Sequence, residues 1–450
     1  MEFPRVNLLI ATSRLHPGAD GGYTIAAMNR ARQLREAGAD PILLTVDFAS
    51  DYDEHREGFR RIGLADERTV LRNLYEEARA DPSWLIRAAA PRLGGGISTS
   101  AITEMPHTDH PDAAGRPLLR TPLVPRPDWH RATDTITVFD DGEPVGTLAG
   151  FGALYRAWVD HVIAGLDPDL PTVIIAESRQ VGELLIPLRD ARTKLVHTVH
   201  NAHTMPPHEW DSPMDALWSG WIDTLAGYDA VTFPTARQRD DVIRRFGEPT
   251  RFEILPSAVP APPAGAPAPR RDPLLTVIVA RLAPQKRVDR AIRAIAAVRQ
   301  RGILARLDVY GDGPLRGELE ALIDELQLNN AVRLLGYDPA VTERIGEASL
   351  LLLTSEYEGQ SLVILEGFNR GTPAVAFDVN YGPSELIDEG VSGHLVPVGD
   401  IDRLADTIAD VLSSPPVLAA LIDGARVSAE RMSVAAVMER WRRLLSDLVG

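Results

Sequence analysis

Short apolar runs recur along this chain, each closed by polar or small residues and most followed by a stretch of helical spacing. Val6-Asn-Leu-Leu-Ile10, within residues 5–12, opens the series, and Pro41 to Phe48 repeats it. Further runs lie at 172–178, Leu195 to His203, Ala230 to Thr235 and Phe252 to Pro256. After a break the series restarts at Leu274 to Ala280. It continues at Leu307 to Tyr310, Val332 to Tyr337, Ala348 to Thr354, Pro373 to Asp378 and Gly393 to Pro397. Runs of this length bounded by turns suit strands buried on both faces of a parallel sheet. Helical spacing follows at Tyr23 to Glu36, ended by Gly38, and again at Val288 to Gln300 and Leu362 to Phe368. Strand, loop and helix in repetition predict an α/β, doubly wound architecture.

Two stretches interrupt the alternation. Residues 51–150 hold a charged helical segment (Asp66 to Ala80), then a Gly- and Pro-rich part at 91–128 with little periodicity. Thr133 to Leu148 reads as a β-hairpin turning at Asp140-Asp-Gly142. The second interruption, Pro260 to Pro273, is Pro- and Ala-rich and reads as a semi-extended linker. The expected division is an N-terminal domain of 1–50 and 151–259 with a strand-poor insertion at 51–150. The linker 260–273, a second domain at 274–430 and a last helical segment at 431–450 follow.

Length supports two domains, since 450 residues exceed one ordinary core. A formal charge of −16, from 47 basic and 63 acidic residues, argues against a nucleic-acid partner. With no cysteine, a disulfide scaffold and a thiolate metal site are both excluded. The first apolar run is too short for a signal sequence, and no stretch approaches the roughly 18 apolar residues of a membrane span. A cytoplasmic address is expected, with contact at the inner face of the membrane left open.

Candidate chemistry gathers at strand ends. Glu358 and Glu366 bracket Ser355–Gly367 with seven residues between them, so they would hold opposite ends of an extended ligand. The helix that starts after Ser361 offers main-chain N–H groups to phosphate or sugar oxygens. Arg281 and Lys286 follow the strand Leu274 to Ala280 and can neutralise a diphosphate, one as a planar fork and the other as a point charge. Gly21 and Gly22, in the loop that begins at His16, allow close approach of a backbone to a ligand. His197, His200 and His203 invite a zinc reading, but 197 and 200 point to opposite faces of a strand. His200, Asn201 and His203 instead stand at a strand's carboxyl end, where open α/β sheets bind ligands. Asp140-Asp141 reads as turn chemistry and Asp167-Pro-Asp169 as a loop before a strand, so no metal site is expected.

Ser-Glu-Tyr-Glu-Gly-Gln-Ser-Leu-Val-Ile-Leu-Glu-Gly at 355–367, with Tyr381-Gly-Pro-Ser384, resembles the donor-site motif of retaining glycosyltransferases of the GT-B fold, family 4. It is most similar to the branch holding wall-teichoic-acid glycosyltransferases and the enzymes that glycosylate serine-rich adhesins. The resemblance implies two Rossmann-like parallel-sheet domains facing across a cleft, with a reduced inserted subdomain in the N-terminal half and a last helix crossing back. It further implies transfer of a hexose or N-acetylhexosamine from a nucleotide-sugar, UDP-glucose or UDP-N-acetylglucosamine being usual, with retention and without cofactor or metal. The hydroxyl acceptor would be a cell-wall polymer, a protein Ser/Thr or a glycolipid. Arg281, Lys286, Glu358 and His200 would be catalytic. Gly21, Gly22, Gly336, Tyr337, Gly359, Gln360, Ser361, Leu362 and Glu366 would bind the donor, and His16, Asn201 and His203 would face the acceptor. The insertion would serve oligomerisation or a partner. Two alternatives remain: a catalytically silent scaffold, and a two-carboxylate glycoside hydrolase, which leaves the cations unused.

Overall fold

Buried strands of the first half assemble into one wholly parallel sheet in a computed structural model of the chain. The structure describes residues 2–18, 22–48, 52–89, 106–263, 265 and 269–450. In chain order the strands are β1 (Asn7–Thr12), β2 (Pro41–Thr45) and β3 (Val70–Asn73), then the inserted β4 (His107–Pro111), β5 (Pro117–Pro122), β6 (Thr135–Asp140) and β7 (Glu143–Ala149). The chain then returns through β8 (Thr172–Ala176), β9 (Thr193–Thr198), β10 (Ala230–Phe233) and β11 (Arg251–Ile254). Sheet order is β11-β10-β9-β8-β1-β2-β3, with β4 to β7 forming a separate antiparallel sheet. Leu8 to Ala11 are buried because cores cover both faces: Leu9 and Ala11 meet one, Leu8 and Ile10 the other.

The second domain repeats the design with β12 (Asp272–Val279), β13 (Arg306–Tyr310), β14 (Val332–Gly336), β15 (Ala348–Leu353), β16 (Ala374–Phe377) and β17 (Gly393–Val396). Its six strands are parallel, ordered β14-β13-β12-β15-β16-β17, around a core of its own.

Two expectations need correction. The segment 51–89 is not part of an insertion, because β3 pairs in parallel with β2 and forms the edge of the first sheet. The inserted sheet is also not strand-poor: β4 and β5 join the expected hairpin β6–β7 to make four strands. Both were hidden for one reason. Edge strands such as β4, His-Thr-Asp-His-Pro, face water and carry no apolar run. The hairpin turn itself is built from Asp141 at φ 51° and Gly142 at φ 83°, as its sequence requires.

The chain passes between the domains twice. Ala258 belongs to the first core while Val259 packs on the second, and each carbonyl is held, Ala258 by Gln33 (3.0 Å) and Val259 by Asn369 (3.0 Å). The helix Pro415–Arg431 packs on the second domain. After Met432 and Ser433, the helix Val434–Val449 buries Val437, Met438, Trp441, Leu444 and Leu445 against the first.

Candidate active site

In the first sheet the chain winds outward from β1 through β2 to β3, then returns to β8 and winds the other way. The crevice above the carboxyl ends of β1 and β8 is therefore a topological switch point, and in the second sheet the same holds between β12 and β15. Every sequence-predicted catalytic side chain follows one of these strands or their immediate neighbour β9. The two crevices face each other. Gly359, after β15, packs so closely on the loop after β9 that a Cβ on it would lie 1.9 Å from the His200 carbonyl oxygen.

Lys286 and Glu358 meet across the second crevice. Lys286 ends the short turn Pro284–Lys286, its Nζ donating to Glu358 Oε1 at 2.6 Å, and the same oxygen accepts the Ser355 hydroxyl at 2.6 Å. The Glu358 loop is pinned on its other side: its N–H donates to Asn380 O (3.0 Å), and Tyr381 N–H donates to Glu358 O (2.9 Å). Arg281 is exposed and has no ion pair among the described residues. Its neighbour Arg287 is instead tied to Glu356 and Asp289.

Ser361 stands before the helix Leu362–Asn369 with φ 69°, and its buried hydroxyl finds no partner among the described residues. Leu362 is the first helical residue. The Gln360 side chain both accepts from and donates to the Ser257 main chain (2.7 and 2.9 Å), which ties it to the crossing between the domains. Glu366 lies in that helix without a hydrogen-bonding or ionic partner among the described residues, and burial pushes its carboxyl up to about 7. Gly336 (φ 74°) and the exposed Tyr337 close β14. Gly311 and Gly313 were not singled out from the sequence. A Cβ there would come within 2.0 and 2.4 Å of the Ala280 and Leu282 carbonyl oxygens, so both seat the loop that carries Arg281.

On the first domain, Gly22 opens its helix with empty space where a Cβ would stand, while Gly21 lies outside the described residues. His200 Nε2 donates to Glu177 at 2.5 Å. His16 Nε2 donates to Asp47 at 2.8 Å, and Asp47 also accepts the Tyr52 hydroxyl. Asn201 turns inward, its side-chain oxygen accepting from Ala202 N–H (3.0 Å) and its carbonyl from Gln238 (2.8 Å). His203 lies buried in the seam between the domains with its ring stacked 6.2 Å from Tyr381, and burial lowers it to about 4. His197 is a core residue: Nδ1 bonds Ala176 O at 3.1 Å, and burial lowers it to about 3.

Sequence reasoning missed Glu177, the residue right after the apolar run of β8. The strand-end rule that found His200 applies equally to it. It also missed the seam: Glu385 accepts the Ala236 and Arg237 N–H groups (2.8 Å each) at the start of the helix Ala236–Phe246, and the Tyr381 hydroxyl donates to Asp241 (3.0 Å). Among the described residues no three of His, Asp and Glu converge as a metal site would require.

Two parallel sheets with opposed switch points, joined by two crossings, constitute the GT-B fold, and solved structures agree. Staphylococcus aureus TarM, crystallised with UDP among its ligands, superposes with a TM-score of 0.76 at 17% identity, covering 98% of this chain and 100% of that one. Residues 266–428 match the family model described as glycosyl transferases group 1. An exopolysaccharide phosphotransferase of Streptomyces coelicolor is 34% identical over 225 residues, 49% of this chain and 24% of that protein. The poly(glycerol-phosphate) alpha-glucosyltransferase of Bacillus subtilis is 24% identical over 324 residues, 71% of this chain and 46% of that protein. The chain thus spans less than half the length of these curated relatives.

Proposed function

We propose that the protein is a retaining glycosyltransferase that moves a sugar from a nucleoside diphosphate sugar to a hydroxyl acceptor. The observation that carries this reading is the pairing of Lys286 with Glu358, and the exposed Arg281 beside it, at the switch point of the second sheet, opposite His200 of the first. As the bond between sugar and phosphate breaks, negative charge grows on the leaving diphosphate. Arg281 and Lys286 stabilise it, the task a divalent ion performs in metal-dependent transferases. Glu366, unpartnered in its helix, accepts from the ribose hydroxyls. Glu358, held by Lys286 and Ser355, positions the sugar and favours its developing positive charge, and main-chain N–H groups at the start of the helix after Ser361 add donors. The acceptor hydroxyl attacks from the leaving-group face, and no enzyme nucleophile is needed.

The UDP bound by TarM and the glucosyl and N-acetylglucosaminyl transfer named for relatives support a UDP-linked glucose or N-acetylglucosamine donor. The acceptor side comprises His16 and the open space at Gly22. No single described helix is long and apolar enough to cross a membrane. The exposed strand β4 at the edge of the inserted sheet is where contact with another subunit is expected.

The test is thermal stability of the purified chain against nucleotides and nucleotide sugars, with chelator present, followed by product analysis. Ligand binding to the native state raises the melting point by mass action. A shift with UDP and one UDP-sugar supports the reading; no shift with any nucleotide overturns it.

A further inference from the structure

Glu177 is buried at the switch point of the first sheet, and the proposed transfer gives it no task. Its N–H donates to Ala11 O at 2.9 Å, which fixes the residue between the ends of β1 and β8. One carboxylate oxygen lies 2.6 Å from Arg30 Nε and the other 2.5 Å from His200 Nε2. Arg30 is itself buried, on the helix Gly22–Glu36. Burial alone would raise the Glu177 carboxyl, but Arg30 and His200 outweigh it and hold it below its usual range. The group is therefore an ionised carboxylate without access to water, and an ionised carboxylate can only accept hydrogen bonds.

That fact determines the imidazole. Nε2 of His200 must carry the hydrogen that Glu177 accepts, so in the neutral ring Nδ1 keeps the lone pair. The ring cannot turn freely to reverse this, because Tyr23 packs edge-on against it at 5.2 Å, its own hydroxyl bonded to Thr12 at 2.5 Å. Arg30 balances the carboxylate, so the pair brings no net charge into the crevice.

We propose that Glu177 is a positioning residue, which holds His200 as the Nε2–H tautomer so that Nδ1 serves as the hydrogen-bond acceptor for a hydroxyl of the bound substrate. The inference rests on the glycosyltransferase reading for the identity of that hydroxyl, whereas the tautomer follows from the contacts alone.

Two measurements test it. Ring-nitrogen NMR of the 15N-histidine-labelled full chain, with His200 assigned by its loss in His200→Gln and pH raised until the ring is neutral, should show a protonated Nε2 and an unprotonated Nδ1. A protonated Nδ1 with a bare Nε2 overturns the proposal whatever the activity. The second is a double-mutant cycle in the sugar-transfer assay. Glu177→Gln should lower kcat about 10–100-fold with donor KM little changed, the range for partners that orient a functional histidine. In the His200→Gln background the same change should cost nothing further, because Glu177 acts through His200. A full additive loss in that background shows a purely structural role and sinks the idea. If the wild-type chain transfers no sugar, the glycosyltransferase reading fails by itself, and the NMR result still decides the tautomer.

Discussion

A side chain on Gly359 would place its first carbon 1.9 Å from the carbonyl oxygen of His200, a separation that no packed atoms tolerate. The loops that carry Glu358 and His200, one from each domain, thus touch through a residue with no side chain. Gly359→Ala should push the domains apart at the seam while leaving both sheets intact. The expected outcome is a loss of kcat of about 10²-fold, the scale set by ångström misplacements of reacting groups. Nucleotide affinity should change much less, since the second domain's own groups are undisturbed. Equal losses in both would contradict this account.

Lys286 and Glu358 form a largely buried pair, so their removal should be asymmetric. Lys286→Met leaves the carboxylate with only the Ser355 hydroxyl and should cost about 2 kcal/mol of stability. Turnover should fall roughly 10²–10³-fold. Adding Glu358→Gln should restore most of the stability in a urea melt but none of the turnover. Recovery of activity in the double variant would remove Lys286 from its role at the leaving group.

Glu366, raised to about 7 by burial, should make nucleotide binding pH-dependent. If ribose hydroxyls donate to its carboxylate, binding favours the ionised form. UDP affinity should then rise with pH up to about 7 and weaken below it, by at most about tenfold per pH unit. The free protein behaves oppositely: the raised carboxyl contributes stability that is full below its unfolded value and lost as pH rises through about 7. Calorimetry of wild type and Glu366→Gln separates this titration from that of the nucleotide, because the variant should lose the difference.

His203, lowered to about 4 in the seam, predicts acid sensitivity. A depressed histidine contributes stability that is present above its unfolded value near 6.5 and lost as pH falls toward 4, about 2 kcal/mol of it by pH 5. His203→Gln should flatten that part of the acid limb. His110, His130 and His197, depressed by burial in the same way, should keep the remainder.

Legibility in the sequence followed burial. β1, β8, β12 and β15 were readable because both faces are covered and each is a continuous apolar run. β3 reads Val-Leu-Arg-Asn at a sheet edge and gave no signal at all. The same logic divides the site. Lys286, Glu358 and His200 follow readable strands, so their convergence could be expected from topology. Glu177 follows one too, yet in sequence an acid at a strand end looks like any solvated carboxylate. Its burial depends on Arg30, brought in by a helix from another part of the chain. The seam contacts of Tyr381 and Glu385 exist only where two separately folded units meet, and no local pattern encodes such a meeting.

The two crossings between the domains also lie side by side. Pro256, Ser257 and Ala258 of the first border the same small cavity as Val437, Met438 and Trp441, one helical turn beyond the second. A single connection would let the halves swivel about it in any direction. Two adjacent connections restrict twist and slide more than one would. The register of the Gly359 loop on the His200 loop is thus set twice, by their own contact and by the two adjacent connections that tie the domains together.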